Sequence, residues 1–205
     1  MESDRELLQR WRAGDRAAGN VLFKRHFEAV YRFFRNKVDQ GVEDLVQRTF
    51  TACVEGRDRF REEASLRTYL FGIAHNLVYE HIRRRRRADE IVDPEVASIV
   101  DLGASPTSIL AARAEENLLV QALRRVPLAS QVILELFYWE QFTGAELGVF
   151  LGVPEDTARS RLRRARQQLE AVLKQLQAAP VLVSSTLENL DGWAEGLRLQ
   201  LAARA

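Results

Sequence analysis

The stretch Phe142–Lys174, FTGAELGVFLGVPEDTARSRLRRARQQLEAVLK, leaves this chain few choices of fold. Thr143 stands three residues before Glu146, the spacing of a capping box, and Leu147, Phe150 and Leu151 follow as the apolar face of a short helix. Gly152 and Val153 make a turn. Pro154 suits the first position of a second helix, and acidic Glu155 and Asp156 suit its positive N-terminal end. The pattern is that of a helix-turn-helix.

At about 100° per residue, Ala158, Leu162, Ala165 and Leu169 share one stripe of the second helix, with Asp156, Ser160, Arg163, Arg164 and Gln167 roughly opposite. Arg159, Arg161 and Arg166 flank that polar side. Guanidinium groups so placed can pair with phosphates or reach the acceptors of guanine in a major groove. An isolated arginine-rich helix is as often a solvated face of a bundle. The short helix and tight turn in front of it favour DNA.

The absence of glycine-rich or β-branched alternating runs in 205 residues predicts an all-α protein of one large or two small domains. No run of about eighteen apolar residues occurs, so no membrane insertion is expected. The charged start, MESDRELLQRW, lacks the apolar segment of a signal peptide. Cys53 is the single cysteine, which excludes an internal disulfide and fits a reducing cytoplasm. A net charge of +1 would argue against a polyanion partner if the charges were mixed, but they are segregated. Arg83–Arg87 form one basic block and Arg159–Arg166 another, whereas 91–112 holds Asp93, Glu95 and Asp101 and no basic residue. Two basic surfaces with an acidic connection between them suit two contact points on one long ligand.

In chain order, Leu7, Leu8 and Trp11 mark a first helix that ends at Gly14 and Asp15. Phe23, Phe27, Val30, Tyr31 and Phe34 recur at helical steps in a second. Gly41 interrupts. Val42, Leu45, Val46, Phe50, Cys53 and Val54 then form a third helix up to Gly56, with Asp44, Gln47, Arg48 and Thr51 on its wet side. Phe60–Ser65 (FREEAS) reads as a polar loop, with Ser65 as cap of a fourth helix. Leu66, Tyr69, Leu70, Ile73, Ala74 and Leu77 carry that helix through Val78 and Ile82 into the five arginines. Such a run is most often solvated surface or a flexible arm. Behind Asn76 and a polar loop, at the end of an aromatic-bearing helix, it also suits a surface that holds a backbone and captures an unstacked base.

Periodicity then fails and Pro94, Gly103 and Pro106 appear, so a first domain over 1–92 is followed by a flexible linker over 93–110. Leu110–Arg125 is helical again, Pro127 punctuates it, and Val132, Ile133, Leu136 and Phe137 lead into the helix-turn-helix. A second small bundle therefore spans 111–176. In the extension 177–205, Leu187, Leu190, Ala194, Leu197 and Leu201 return at helical spacing after Pro180, although Gly192 and Gly196 weaken that extra C-terminal helix. It reads either as a helix packed on the bundle or as a regulatory helix that covers a binding face.

Over roughly residues 5–176 the chain resembles an extracytoplasmic-function sigma factor, a small member of the sigma-70 family. FEAVYRFFRNKV is similar to the start of the family's first conserved domain and VEDLVQRTF to its polymerase-binding helix. FREEASLRTYLFGIAHNLVYEHIRRRRR resembles its promoter-melting segment, and GVPEDTARSRLRRARQQL its upstream-element reader. The resemblance implies a non-catalytic factor that binds bacterial RNA polymerase core and directs it to promoter DNA.

By that resemblance Asp44, Gln47 and Arg48 match positions that contact a coiled coil of the largest polymerase subunit, although the family usually has Glu where Arg48 stands. Asn76 and the FREEAS loop, with Arg61 and Ser65, match the pocket for a base flipped from the minus-10 element. Arg83, Arg84 and Arg85 would grip phosphates beside it. Tyr69 stands where Trp is common and His75 where Arg is common, and Tyr69 is expected to pack in the core. Arg159, Ser160, Arg163 and Arg164 match positions that meet the minus-35 element. The family also implies an anti-sigma protein as partner.

Two rival readings start from the residues alone. A helix-turn-helix regulator that is not a polymerase subunit would explain 142–174 but leave the first ninety residues idle. An enzyme fits worst: His75 and His81 are six apart, off the one-turn spacing of metal ligands on a helix, His26 has no partner set, and Cys53 lies in an apolar stripe. Neither metal nor cofactor is expected.

Overall fold

The computed structural model describes residues 2–60, 64–85, 93, 95–101 and 114–176, and every regular element among them is helical. The chain divides into two compact units, Met1–Arg85 and Arg86–Ala205. The extension 177–205, with the helix expected in it, lies outside the described residues.

The first unit holds α1 (Asp4–Arg12), α2 (Arg16–Arg35), α3 (Val42–Gly56) and α4 (Leu66–Arg85). Ser3 opens α1 with a capping box: the Glu6 amide donates to Ser3 Oγ, and the Ser3 amide donates to Glu6 Oε2 at 2.7 Å. Asp15, expected only to end the first helix, also starts the second by accepting from the Ala17 and Ala18 amides at 2.9 and 3.2 Å. The opening of α2 at Arg16 escapes an apolar pattern that begins at Phe23 because its contact is made by small residues. A Cβ on Gly19 would lie 2.7 Å from the Trp11 ring, so only glycine lets α1 lie this close.

Leu7, Leu8, Trp11, Ala18, Leu22, Cys53, Leu66 and Leu70 are buried together as the core of α1–α4. Phe23 joins it edge-on to Trp11 at 5.2 Å and against Phe50 at 4.9 Å. Asp4 ties α1 to α2 through Arg25 and through His26 Nε2, 2.6 Å away, and the His26 hydrogen bond holds its carboxyl below the usual range. Ser65 caps α4, its Oγ accepting from the Thr68 amide at 3.1 Å. Tyr69 packs as expected: its ring stacks on Phe60 at 4.7 Å and its hydroxyl occupies the space beside Gly56. Burial, then the charge of Lys37, pushes His75 down from 6.5 to about 4.

The second unit holds α5 (Ala114–Leu123), α6 (Leu128–Leu134) running into a π-helical turn (Glu135–Trp139), α7 (Gly144–Leu151) and α8 (Glu155–Gln175). Leu119, Leu123, Leu134, Tyr138, Trp139, Ala165, Leu169 and Leu173 are among its shared core. The wide turn is closed by the Glu140 amide donating to the Glu135 carbonyl at 3.1 Å, a local change of pitch that apolar spacing does not reveal.

Within the segment expected as a flexible linker, 93–110, the described residues 97–100 are packed and hydrogen-bonded against residues around α5 and α6. Ile99 is 2% exposed, the Leu128 amide donates to the Ala97 carbonyl at 3.0 Å, and the Val100 amide donates to the Arg124 carbonyl at 3.2 Å. Ser98 Oγ donates to Asp101 Oδ2 at 2.6 Å and closes the local turn. A single buried isoleucine and backbone pairing leave no periodic trace in a sequence.

Gly148 decides how α7 meets α8. A Cβ there would sit 2.9 Å from the Val153 carbonyl oxygen and 3.3 Å from the Glu155 amide nitrogen, both backbone atoms. At Gly144 the nearest atoms, Glu155 Oε1 at 2.8 Å and Arg159 Nε at 3.0 Å, belong to movable side-chain ends. Gly148→Ala should therefore cost about 1–3 kcal/mol in urea denaturation, and Gly144→Ala clearly less; equal losses would contradict the close crossing. A second expectation concerns pH. Because the folded state depresses the His75 pKa, its contribution to stability is full above 6.5 and is lost as pH falls towards 4. Denaturation midpoints of the wild type should fall more over that range than those of His75→Gln, and parallel curves would remove the assignment.

Candidate nucleic-acid interface

The side of α8 that faces the core is formed by Ala158, Ala165, Leu169 and Leu173, all buried, with Leu162 partly so. Burial of that stripe leaves Arg159, Ser160, Arg161, Arg163, Arg164, Arg166 and Gln167 exposed. The helix is oriented by what precedes it. Thr143 Oγ1 accepts from the Glu146 amide at 3.2 Å while the Thr143 amide donates to Glu146 Oε2 at 2.9 Å, completing the capping box of α7. Gly152 ends α7 with φ +64°, a left-handed conformation that favours glycine, and the Val153 amide returns to the Gly148 carbonyl at 3.0 Å. Pro154 stands at the cap itself, one residue before the first helical position expected of it.

The arginines of α8 are not equivalent. Arg159 donates from Nε and Nη2 to Glu155 Oε1 at 2.9 and 2.5 Å, and these bonds raise its pKa. Arg166 lies with its guanidinium carbon 6.0 Å from the Tyr138 ring centre. Arg163 and Arg164 are exposed, and neither is held in an ion pair among the described residues. Ser160 stands with them on the solvent side. The four residues expected at a minus-35 element thus share one outward surface, two of them free to move onto a partner and one already tied by a carboxylate.

In the first unit, Asp44 and Gln47 are exposed on α3, whereas Arg48 is half-buried and donates to Glu80 Oε2 on α4 at 2.8 Å. Phe27, 43% exposed, stacks on Tyr31 at 6.1 Å and on Phe50 at 6.3 Å, so α2 brings an aromatic strip to the same helix pair. Sequence periodicity placed Phe27 among the apolar positions of α2 and gave no sign of its exposure. On α4, Asn76, Arg83 and Arg84 are exposed, and Arg84 also pairs with Glu80, at 2.5 Å. Arg61 and the side chain of Arg85 lie outside the described residues.

A cavity of about 280 Å³ opens beside Ser65, lined by Asp4, Arg5, Leu8, Phe60, Ala64, Ser65 and Leu66. Asn76 does not line it: eleven residues further along α4 it stands about 16 Å away along the axis. The structure thus brings Ser65 together with α1 and leaves Asn76 on open helix surface. The α1 side of this cavity carried no signal in the sequence.

Burial pushes the Cys53 thiol up to about 11, far from a reactive thiolate. Among the described residues no cluster of three histidine, cysteine or carboxylate side chains could hold a metal ion, and no helix is long and apolar enough to cross a membrane.

Comparison with known proteins covers both units. Residues 22–88 match the model of Sigma-70 region 2, and residues 116–169 match that of Sigma-70, region 4. The RNA polymerase sigma factor NccH of Alcaligenes xylosoxydans xylosoxydans is 32% identical over 183 residues, 85% of this chain and 96% of the relative. The ECF RNA polymerase sigma factor SigM of Mycobacterium tuberculosis (strain ATCC 25618 / H37Rv) is 28% identical over 173 residues, 83% of this chain and 85% of the relative. The solved structure of CnrH in complex with the cytosolic domain of CnrY superposes with a TM-score of 0.64 at 25% identity, covering 85% of this chain and 99% of that one. An operator-binding regulator would have no use for a region 2 over α2–α4. With both regions present in order and a relative matched along nearly its whole length, the chain belongs to the extracytoplasmic-function group of the sigma-70 family, the factors that bind RNA polymerase and direct promoter-specific initiation.

Proposed function

We propose that the two units divide the work of initiation as follows. The second unit reads the minus-35 element through Arg159, Ser160, Arg163 and Arg164, within the bundle of 111–176. The observation that carries this reading is the two-sidedness of α8: one stripe is consumed by the core, and the opposite stripe is a continuous exposed row of guanidinium groups. Affinity comes from phosphate contacts and discrimination from those side chains that reach base edges. Arg163 and Arg164, unpaired with any carboxylate among the described residues, are the base readers, while Arg159 must first leave Glu155.

The first unit docks on polymerase through Asp44 and Gln47, with the neighbouring Arg48 turned to Glu80 instead of to the partner, and engages the minus-10 element through Asn76 and the arginines from Arg83 onward. The exposure of Asp44, Gln47, Asn76, Arg83 and Arg84 supports this division. The cavity at Ser65, with Phe60 as a wall, suits a single unstacked base, and Arg61 of the same loop belongs to this reading. The factor works in the cytoplasm without catalysis of its own. An anti-sigma protein is the partner that withholds it, in line with the likeness to CnrH, which was solved with the cytosolic domain of CnrY.

Replacement Arg163→Ala tests the assignment on α8. Holoenzyme carrying it should bind promoter DNA more weakly by about 1–3 kcal/mol and lose preference among bases of the minus-35 element. The slope of affinity against salt should change little, since that slope counts phosphate contacts. A minus-35 preference identical to that of wild type would refute base reading by this residue.

A further inference from the structure

Arg48 stands where the sequence resemblance leads one to expect Glu, and its surroundings explain what an arginine does there. Glu80, on α4, gives one carboxylate oxygen to each of two guanidinium groups: Oε2 to Arg48 at 2.8 Å and Oε1 to Arg84 at 2.5 Å. The three side chains differ in exposure, 29% for Glu80, 35% for Arg48 and 69% for Arg84. Arg48 is thus fixed in the crease between α3 and α4, and Arg84 is the member able to leave. A half-buried carboxylate that loses its last partner is costly, and a carboxylate beside a DNA phosphate repels it.

We propose that Arg48 is a positioning residue which neutralises Glu80, so that Arg84 can be handed from Glu80 to a DNA phosphate during promoter engagement. The inference rests on the reading of the basic end of α4 as a DNA-facing surface. Without Arg48, Glu80 grips Arg84 alone, and transfer of Arg84 to the phosphate strands a carboxylate beside the duplex. With Arg48 in place, Glu80 keeps a charge-assisted bond throughout. Arg48 therefore acts through two other side chains, and polymerase affinity does not depend on it.

The test uses holoenzyme assembled from core polymerase and full-length protein, with two readouts: affinity for core, and promoter opening followed by permanganate reactivity of the melted thymines. Arg48→Gln should leave core affinity within about twofold and reduce opening by about tenfold. Adding Glu80→Gln to Arg48→Gln should restore opening to within about twofold of wild type, because the grip and the repulsion vanish with the charge. Glu80→Gln alone should open promoters at least as well as wild type. A folding defect would lower both readouts together and would not be repaired by removing a second charge; failure of Glu80→Gln to restore opening overturns the proposal. So does a loss of core affinity in Arg48→Gln. Arg84→Ala separates this failure from that of the underlying reading: if Arg84→Ala leaves opening unchanged, the basic end of α4 does not face DNA. If Arg84→Ala reduces opening and the double variant shows no rescue, only the role of Arg48 falls.

Discussion

A Cβ on Gly148 would lie 2.9 Å from the Val153 carbonyl oxygen, so the last turns of α7 meet the start of α8 backbone to backbone. That approach sets the angle at which α8 leaves the turn, and the angle determines which of its faces is spent on the core. Ala158, Ala165, Leu169 and Leu173 take the buried side, and two of these four are small enough for the helix to lie close to its neighbours. What α8 offers a partner is what remains: a row of arginines whose direction is fixed by packing rather than by their own charges. The capping box at Thr143 and the left-handed Gly152 secure the same geometry from the other side of the turn.

The first unit solves a different problem with similar means. In the proposed division of work its helices carry basic groups towards DNA and a polar face towards polymerase on the same small bundle. Glu80 sits between the two proposed surfaces, bonded to Arg48 on α3 and to Arg84 at the basic end of α4. Pairing of this kind keeps the arginines ordered at small energetic cost, because exposed ion pairs are weak enough to be exchanged. Arg159 and Glu155 repeat the arrangement on α8. In both units a carboxylate holds an arginine that the proposed DNA contact would release.

Much of this was legible in the sequence. The helix-turn-helix, its capping box and the two faces of α8 follow from spacing alone, as does α3; α1 and the body of α4 follow from apolar residues bounded by Gly14 and by Ser65. What spacing missed was made by single residues or by backbone. Ile99 anchors a segment read as linker, Gly19 and Gly148 act through the side chain they lack, and Asp15 serves two helices at once. The exposed ring of Phe27 and the α1 wall of the cavity at Ser65 depend on which neighbours pack above them. The orientation of Arg48 could not be read either, since its partner lies thirty-two residues away on another helix.

The central claim is that packing of α7 on α8 aims the arginine face of α8 at the upstream promoter element. Site-specific photo-crosslinking from position 167, where the exposed Gln167 stands beside Arg163 and Arg164, tests it in reconstituted holoenzyme on promoter DNA. The account predicts crosslinks to the minus-35 element that disappear when that element is scrambled. Crosslinks confined to polymerase, or spread over the DNA without regard to sequence, would contradict it.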